Sequence, residues 1–466
     1  MSARERAGIA AILVLGVALR LHGLSTFPME QDEMYTIVES RDLFHTKIMP
    51  GIAARPFYYL LQHPFLSLPN TPVMLRLMPL LFGIVGILVM WRLGRRAVGV
   101  TAGLVAALLT AISPWHIYVS GMARYWALVF LLAATAYLLM LRAYESDRVR
   151  DYLAALIVLT IGTATHPSFS LPMAGAILGL SLVNDGAGWR IRWPTANGWR
   201  WLWLPFGVLV LCAVVALKVT GKQSAIHNWG GRGTAAVLRL APAMVEWMTV
   251  SVAAAACVGV VLLWASGTAA HRRWALMTLL GATTSVTLMI VSALSTNIYA
   301  DYGLPMLPLL FVAAAAIPDQ LMRVGAHCAR LATLATVLIV APILPSTLSH
   351  LSDGTRFDYR PAYRRIEQDD PSALVLTTPL IEQLTYGPGL RTLELTADTT
   401  VLREALARER TMWAVLSIKR TGLVGDDAGT LQPWVERNCR RVQVTERPRW
   451  DYRFYRVELY RCQAGA

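Results

Sequence analysis

Long apolar runs alternate with short polar loops through most of the chain. Runs of roughly 16 to 23 residues, most of them long enough to cross a bilayer, lie at about 7–24, 72–91, 98–115, 124–143, 151–166, 167–183, 201–219, 243–265, 274–295, 302–317 and 330–346. The sixth run begins directly at His166-Pro167, where Pro167 would end the preceding helix in a tight turn. The segment 25–71 is too long for a turn. In it Met34, Ile37, Val38 and Phe44, and then Phe57, Leu60, Leu61 and Phe65, recur at near-helical spacing, which predicts two short surface helices.

Beyond Pro345 the pattern changes. Residues 347–466 contain no spanning run and are rich in Arg, Asp and Glu. Ala373–Thr378, Met412–Ile418 and Tyr452–Arg461 predict strands, and Thr400–Arg410 and Leu431–Asn438 predict helices. The fold class expected is therefore a polytopic α-helical membrane protein of about eleven spans (1–346), followed by a small soluble α/β domain (347–466).

Composition supports that class. The 466 residues are 55% hydrophobic and only 15% charged, whereas soluble proteins average about 25% charged. The net charge of +14 does not point to nucleic acid, because its arginines cluster in alternate short loops. Arg4 and Arg6 precede the first run. Arg92, Arg95 and Arg96 follow the second; Arg142, Arg148 and Arg150 the fourth; Arg190, Arg192 and Arg200 the sixth; Arg272 and Arg273 the eighth; Arg323 and Arg330 the tenth. An uncleaved first helix with its N-terminus in the cytoplasm satisfies this alternation. The segment 25–71, the His166 turn and the C-terminal domain then share the outer, extracytoplasmic face of an inner (cytoplasmic) membrane. Cys212, Cys257 and Cys328 read as core residues, and Cys439 and Cys462, on the oxidising side, are candidates for a disulfide.

That face collects Asp32, Glu33, Arg55, Tyr58, Tyr59, His63, Arg76, His116, Arg124, Tyr125, His166, Lys222, His227, Arg232, Tyr299, Asp301 and Tyr302. Acids so close to hydrocarbon are functional candidates by default. Carboxylate, imidazole, phenol and guanidinium groups at a lipid boundary suit transfer of a group from a lipid phosphate to a hydroxyl or amine. A carboxylate removes the acceptor's proton, and fixed cations hold the departing phosphate. Each group also has a plainer role. Asp32 fits a helix N-cap and Glu33 its first turn. Glu33 and Arg76 suit structural ion pairs, and Arg124 suits snorkelling at a helix end. The histidines suit packed positions and the tyrosines an interface belt. A divalent metal held by Asp32 and Glu33 is a further alternative.

Several motifs in combination resemble the GT-C superfamily of membrane glycosyltransferases, especially its protein O-mannosyltransferase and aminoarabinose-transferase branch. They are Asp32-Glu33 after the first helix; Arg55-Pro56-Phe57-Tyr58-Tyr59-Leu60-Leu61; Leu75-Arg76-Leu77-Met78-Pro79; Leu93-Gly94-Arg95-Arg96; Ser113-Pro114 leading to Ala123-Arg124-Tyr125; and Tyr302-Gly303-Leu304-Pro305. Arg55 replaces the family's usual first proline, and Asp301 stands where a basic residue is common. The resemblance implies a polyprenyl-phosphate sugar donor, a cell-envelope acceptor, and inverting transfer at the outer face. It implies Asp32 as general base with Glu33 beside it, and Arg124, helped by Arg55 and Lys222, at the donor phosphate. Tyr58, Tyr59, His63, Tyr125, His166 and Tyr302 would line the substrate pocket. The rival readings are a transporter or flippase of a lipid-linked substrate, and a non-catalytic scaffold of the same fold.

Overall fold

The computed structural model describes residues 1–41, 56–67, 72–184, 189–191, 233–266, 268–295, 298–377, 383–395, 399–409, 411–419, 422–424, 429–451 and 453–463. The expected span at 201–219 and the residues Phe44, Arg55, Lys222, His227 and Arg232 lie outside these.

Among the described residues five helices are long and apolar enough to cross a membrane: Pro72–Ala97, Trp126–Ser146, Ala269–Ala293, the composite Ala300–Val324 and the composite Ala329–Asp353. Two bent pairs raise the number to seven. The chain is a multipass helical membrane protein with a small C-terminal sheet region. The longer list of about eleven counts further segments with shorter or more polar helices. Helix Ala3–Leu21 carries Arg4, Glu5, Arg6 and Arg20, and Val149–Thr165 and Ser170–Ser181 have 17 and 12 residues. His166 and the 3-10 turn Pro167–Phe169 separate the last two, so the junction is as tight as Pro167 suggested.

Two expected spans are broken. Helix Val100–Ile112 turns by 62° at Ser113 into Pro114–Ser120, where Ser113 accepts the His116 N–H and Pro114 opens the second helix. Arg20 secures the bend. It donates to the carbonyls of Thr110 (2.9 Å), Ala111 (3.0 Å) and Gly16 (2.9 Å) and contacts His116 Nδ1 at 2.5 Å. A cation there also complements the negative end of the helix it caps. The second break, of 90°, lies at Thr249 between Thr234–Met248 and Val250–Ala265. Thr249 adopts φ +70°, an unusual conformation for a β-branched residue.

The bundle packs by close approach. A Cβ on Gly259 would lie 1.8 Å from the Ala313 carbonyl oxygen, so Val250–Ala265 and Leu307–Val324 meet backbone to backbone as small residues allow in membranes. Trp115, Phe130, Tyr137, Trp274 and Phe311 fill the core around them.

The segment after the first helix forms Gln31–Arg41 and Pro56–Gln62, as the spacing predicted. The first of these buries Glu33, Met34, Thr36, Glu39 and Ser40. It docks on the bundle through these polar side chains as well as Met34.

A two-stranded ribbon joins β1 (Leu182–Asn184) to β2 (Trp189–Ile191). The C-terminal sheet contains β3 (Leu374–Thr377), β4 (Arg391–Glu394), β5 (Thr411–Lys419), β6 (Gly422–Leu423), β7 (Cys439–Thr445) and β8 (Arg456–Gln463). Its order is β4-β3-β5-β8-β7, with β6 off β5. β3 runs parallel to β4 and β5, and β8 antiparallel to β5 and β7. Central β5 is buried from Met412 to Ile418. Helices Thr399–Arg408 and Leu431–Asn438 lie near their expected limits; β4, β6, β7 and helix Arg360–Asp369 were not foreseen. Cys439 and Cys462 pair across β7 and β8 in a disulfide. The composition change near Pro345 falls inside helix Leu344–Asp353, so the bundle continues slightly past it.

Candidate active site

The site is organised by helix Gln31–Arg41, whose first turn contains Asp32 and Glu33. Neighbours in a helix point about 100° apart, and here that angle separates two environments. The Glu33 side chain is fully buried, while that of Asp32 is 47% exposed.

Glu33 sits in a closed cage. Arg76 grips it bidentately, Nε to Oε1 at 2.7 Å and Nη2 to Oε2 at 2.8 Å. Arg356 Nη1 donates to Oε2 at 3.0 Å. The backbone N–H of Ala123 donates to Oε1 at 2.9 Å and that of Glu30 to Oε2 at 3.0 Å. Burial alone would raise this carboxyl, but Arg356 and Arg76 outweigh it and hold it down at about 2. With both oxygens occupied by N–H donors, Glu33 is poorly disposed to share a metal with Asp32. No group of three His, Cys, Asp or Glu side chains that could hold a metal occurs among the described residues.

Asp32 is braced from one side. Arg124 Nη2 lies 3.7 Å from its Oδ1. Arg124 Nη1 donates to the Asp32 carbonyl (3.3 Å), Thr36 Oγ1 (3.1 Å) and Glu39 Oε2 (3.3 Å). Its guanidinium lies 4.9 Å from the Tyr125 ring centre. Beside it, three buried polar atoms have no hydrogen-bond partner among the described residues: Arg124 Nε, Tyr58 Oη and Glu39 Oε1. Buried groups left this way cost about 1–3 kcal/mol each, so the spot favours water or a polar ligand atom.

The other expected pocket residues divide. Tyr125, Trp126, His166 and Tyr302 form one aromatic group, with His166 stacked on Tyr125 at 4.9 Å and 5.1 Å from Tyr302. Tyr58 packs edge-on to both Tyr125 and Tyr59. His166 Nδ1 also lies 2.6 Å from Ser168 Oγ, fixing the turn. His63 is set apart, its Nδ1 2.6 Å from the Ser40 carbonyl. His116 is bound to Arg20 in the helix bend, and Asp301 accepts the Trp115 indole N–H at 2.9 Å.

Three residues of the site were not among those picked out from the sequence. Glu39 shares Arg124 with Asp32. Glu30, two residues before Asp32, accepts the Tyr118 hydroxyl; burial pushes its carboxyl up to about 7 against the pull of Arg356 and that hydroxyl. Arg356 lies 323 residues beyond Glu33. Helical spacing was a clue to Glu39 alone, three positions after Thr36 on the buried face.

Comparison with known proteins agrees with this architecture. Residues 54–219 match the family model described as dolichyl-phosphate-mannose-protein mannosyltransferase. The fold is similar to that of ArnT from Cupriavidus metallidurans in the apo state, with TM-score 0.54, 16% identity, and 99% of this chain and 98% of that one covered. It is also similar to ArnT bound to undecaprenyl phosphate, with TM-score 0.53, 15% identity and 98% of each chain covered. The apo oligosaccharyltransferase of Archaeoglobus fulgidus matches with TM-score 0.50 and 12% identity over 80% of this chain; the match spans 62% of that longer protein. No curated protein matches the chain.

Proposed function

We propose that this chain, which has the fold of the GT-C superfamily, is a membrane glycosyltransferase that moves a sugar from a polyprenyl-phosphate donor to a cell-envelope acceptor at the outer face of the inner membrane. Asp32 takes the proton from an acceptor hydroxyl or amine. The acceptor atom then bonds to the anomeric carbon from the side opposite the phosphate. The bond from that carbon to the phosphate oxygen breaks, leaving polyprenyl phosphate and an inverted linkage.

The observation that carries this reading is the unequal treatment of the acids on one helix. Glu33 and Glu39 are buried against cations, whereas Asp32 is half-exposed with a guanidinium behind it. A base needs that arrangement: open to substrate and fixed in direction. Glu33 is then an anchor rather than a second base. Arg124 has two roles, bracing Asp32 and presenting its free Nε, with the Tyr58 hydroxyl, towards the donor phosphate. Arg55 and Lys222 remain the added phosphate cations in this scheme. Tyr59, Tyr125, His166 and Tyr302 supply aromatic walls to the sugar pocket, with His63 at its margin. In the same reading the N-terminus is cytoplasmic and the C-terminal domain extracytoplasmic.

Asp32→Asn tests the proposal. In membranes carrying a radiolabelled polyprenyl-phosphate sugar, label should pass to acceptors with wild-type protein and fall by about 10²–10⁴-fold with the variant, at unchanged expression. Equal transfer by both proteins overturns the assignment. Flipping of intact donor without cleavage of the sugar–phosphate bond would favour a transporter.

A further inference from the structure

We infer that Arg356 is a positioning residue for Asp32, and that the C-terminal region is thereby part of the catalytic machinery rather than an accessory to it. The inference rests on the reading of Asp32 as the base.

Arg356 follows the last membrane helix and is 2% exposed. Its Nη1 donates to the Pro28 carbonyl (3.0 Å) and to Glu33 Oε2 (3.0 Å), and its Nη2 to the Gly121 carbonyl (2.8 Å). The guanidinium lies 5.7 Å from the Tyr118 ring centre. One planar cation therefore joins two loops that are distant in sequence. The first, 28–30, leads into the helical turn that holds Asp32. The second, 121–124, ends on Arg124, which braces Asp32.

Other bonds follow the same path. Tyr386 Oη donates to the Met29 carbonyl at 2.9 Å, Arg360 Nη1 to the Thr26 carbonyl at 2.8 Å, and His22 Nε2 lies 2.8 Å from the Leu351 carbonyl. The Asp32 loop is thus held by Arg76 from the membrane bundle and by Arg356 from the start of the C-terminal region. Lysine could not replace Arg356 fully, because a single ammonium lacks the fork that spans both loops.

A displacement of about 1 Å at a reacting group can cost about 10²-fold in rate. The full-length Arg356→Gln protein should therefore lose about 10- to 100-fold in kcat for transfer of radiolabelled sugar, with its donor KM changed less than about threefold. Arg356→Lys should recover part of that loss, and both variants should still bind undecaprenyl phosphate. Wild-type kcat in Arg356→Gln, or a fall in donor affinity that accounts for the whole defect, overturns the inference. If Arg356→Gln does not fold, Arg356→Lys decides, since wild-type kcat there would show that the fork is dispensable. Asp32→Asn run in parallel separates the two claims: transfer retained there sinks the reading of Asp32 itself, whereas transfer lost there but kept in both Arg356 variants sinks only the positioning role.

Discussion

The cage around Glu33 predicts a specific pattern of acid sensitivity. Glu33→Gln keeps the shape of the side chain but removes the negative charge between Arg76 and Arg356, both fully or almost fully buried. The depression of the Glu33 carboxyl from its ordinary 4.5 to about 2 corresponds, at about 1.4 kcal/mol per pH unit, to about 3 kcal/mol of stability. Breaking a buried ion pair from one side costs about 3–5 kcal/mol, which agrees. Arg76 also donates to the carbonyls of Leu24, Phe27 and Pro28, so part of its desolvation stays compensated, and the lower figure is expected. The sign follows from the depression: the contribution is complete above about pH 4.5 and is lost as pH falls through about 2. Thermal unfolding of wild type and Glu33→Gln in the same detergent should therefore differ by several degrees at pH 7. The gap should narrow progressively below pH 4.5. Equal melting temperatures at pH 7, or a gap independent of pH down to pH 3, would refute the argument.

Glu30 should behave in the opposite sense. Its carboxyl is raised to about 7 by burial, so its ionisation penalty is absent below about pH 4.5 and complete above about 7; melting curves of Glu30→Gln should show a gain over wild type that grows from pH 5 to pH 8. Removing the disulfide with Cys439→Ser and Cys462→Ser, which opens a closure with a sequence separation of 23, should cost the C-terminal region about 3 kcal/mol by loop entropy; limited proteolysis with and without reductant reads it, and unchanged cleavage would count against the estimate.

Much of the bundle was legible because burial in lipid imposes length and polarity on a segment directly. The helix Trp126–Ser146 and the turn at His166 lie close to where the sequence put them. The breaks were less visible. Ser113-Pro114 marks one, but nothing local announces the 90° turn at Thr249, which depends on neighbours packed against it. In the sheet, central buried β5 stood out as an apolar run. Edge strand β7, whose residues are half-buried or exposed, did not, since an edge strand needs no continuous apolar pattern.

The site follows the same division. Asp32 and Glu33 are adjacent acids with the same local signals, and nothing in the one-dimensional pattern says which faces inward. That choice is made by Arg76 and Arg356, from elements 43 and 323 residues away in sequence. An outward Glu33 would leave two buried guanidinium groups without their counter-ion, at a cost of several kcal/mol, whereas an outward Asp32 costs little because its side chain is still hydrated. The rotation of the helix is therefore set by the residue that is less exposed to solvent. Turning Glu33 into its cage turns Asp32, about 100° away, towards solvent and the Arg124 guanidinium. On this account the two adjacent acids take two different places: one fixes the helix, and the other is left exposed to solvent.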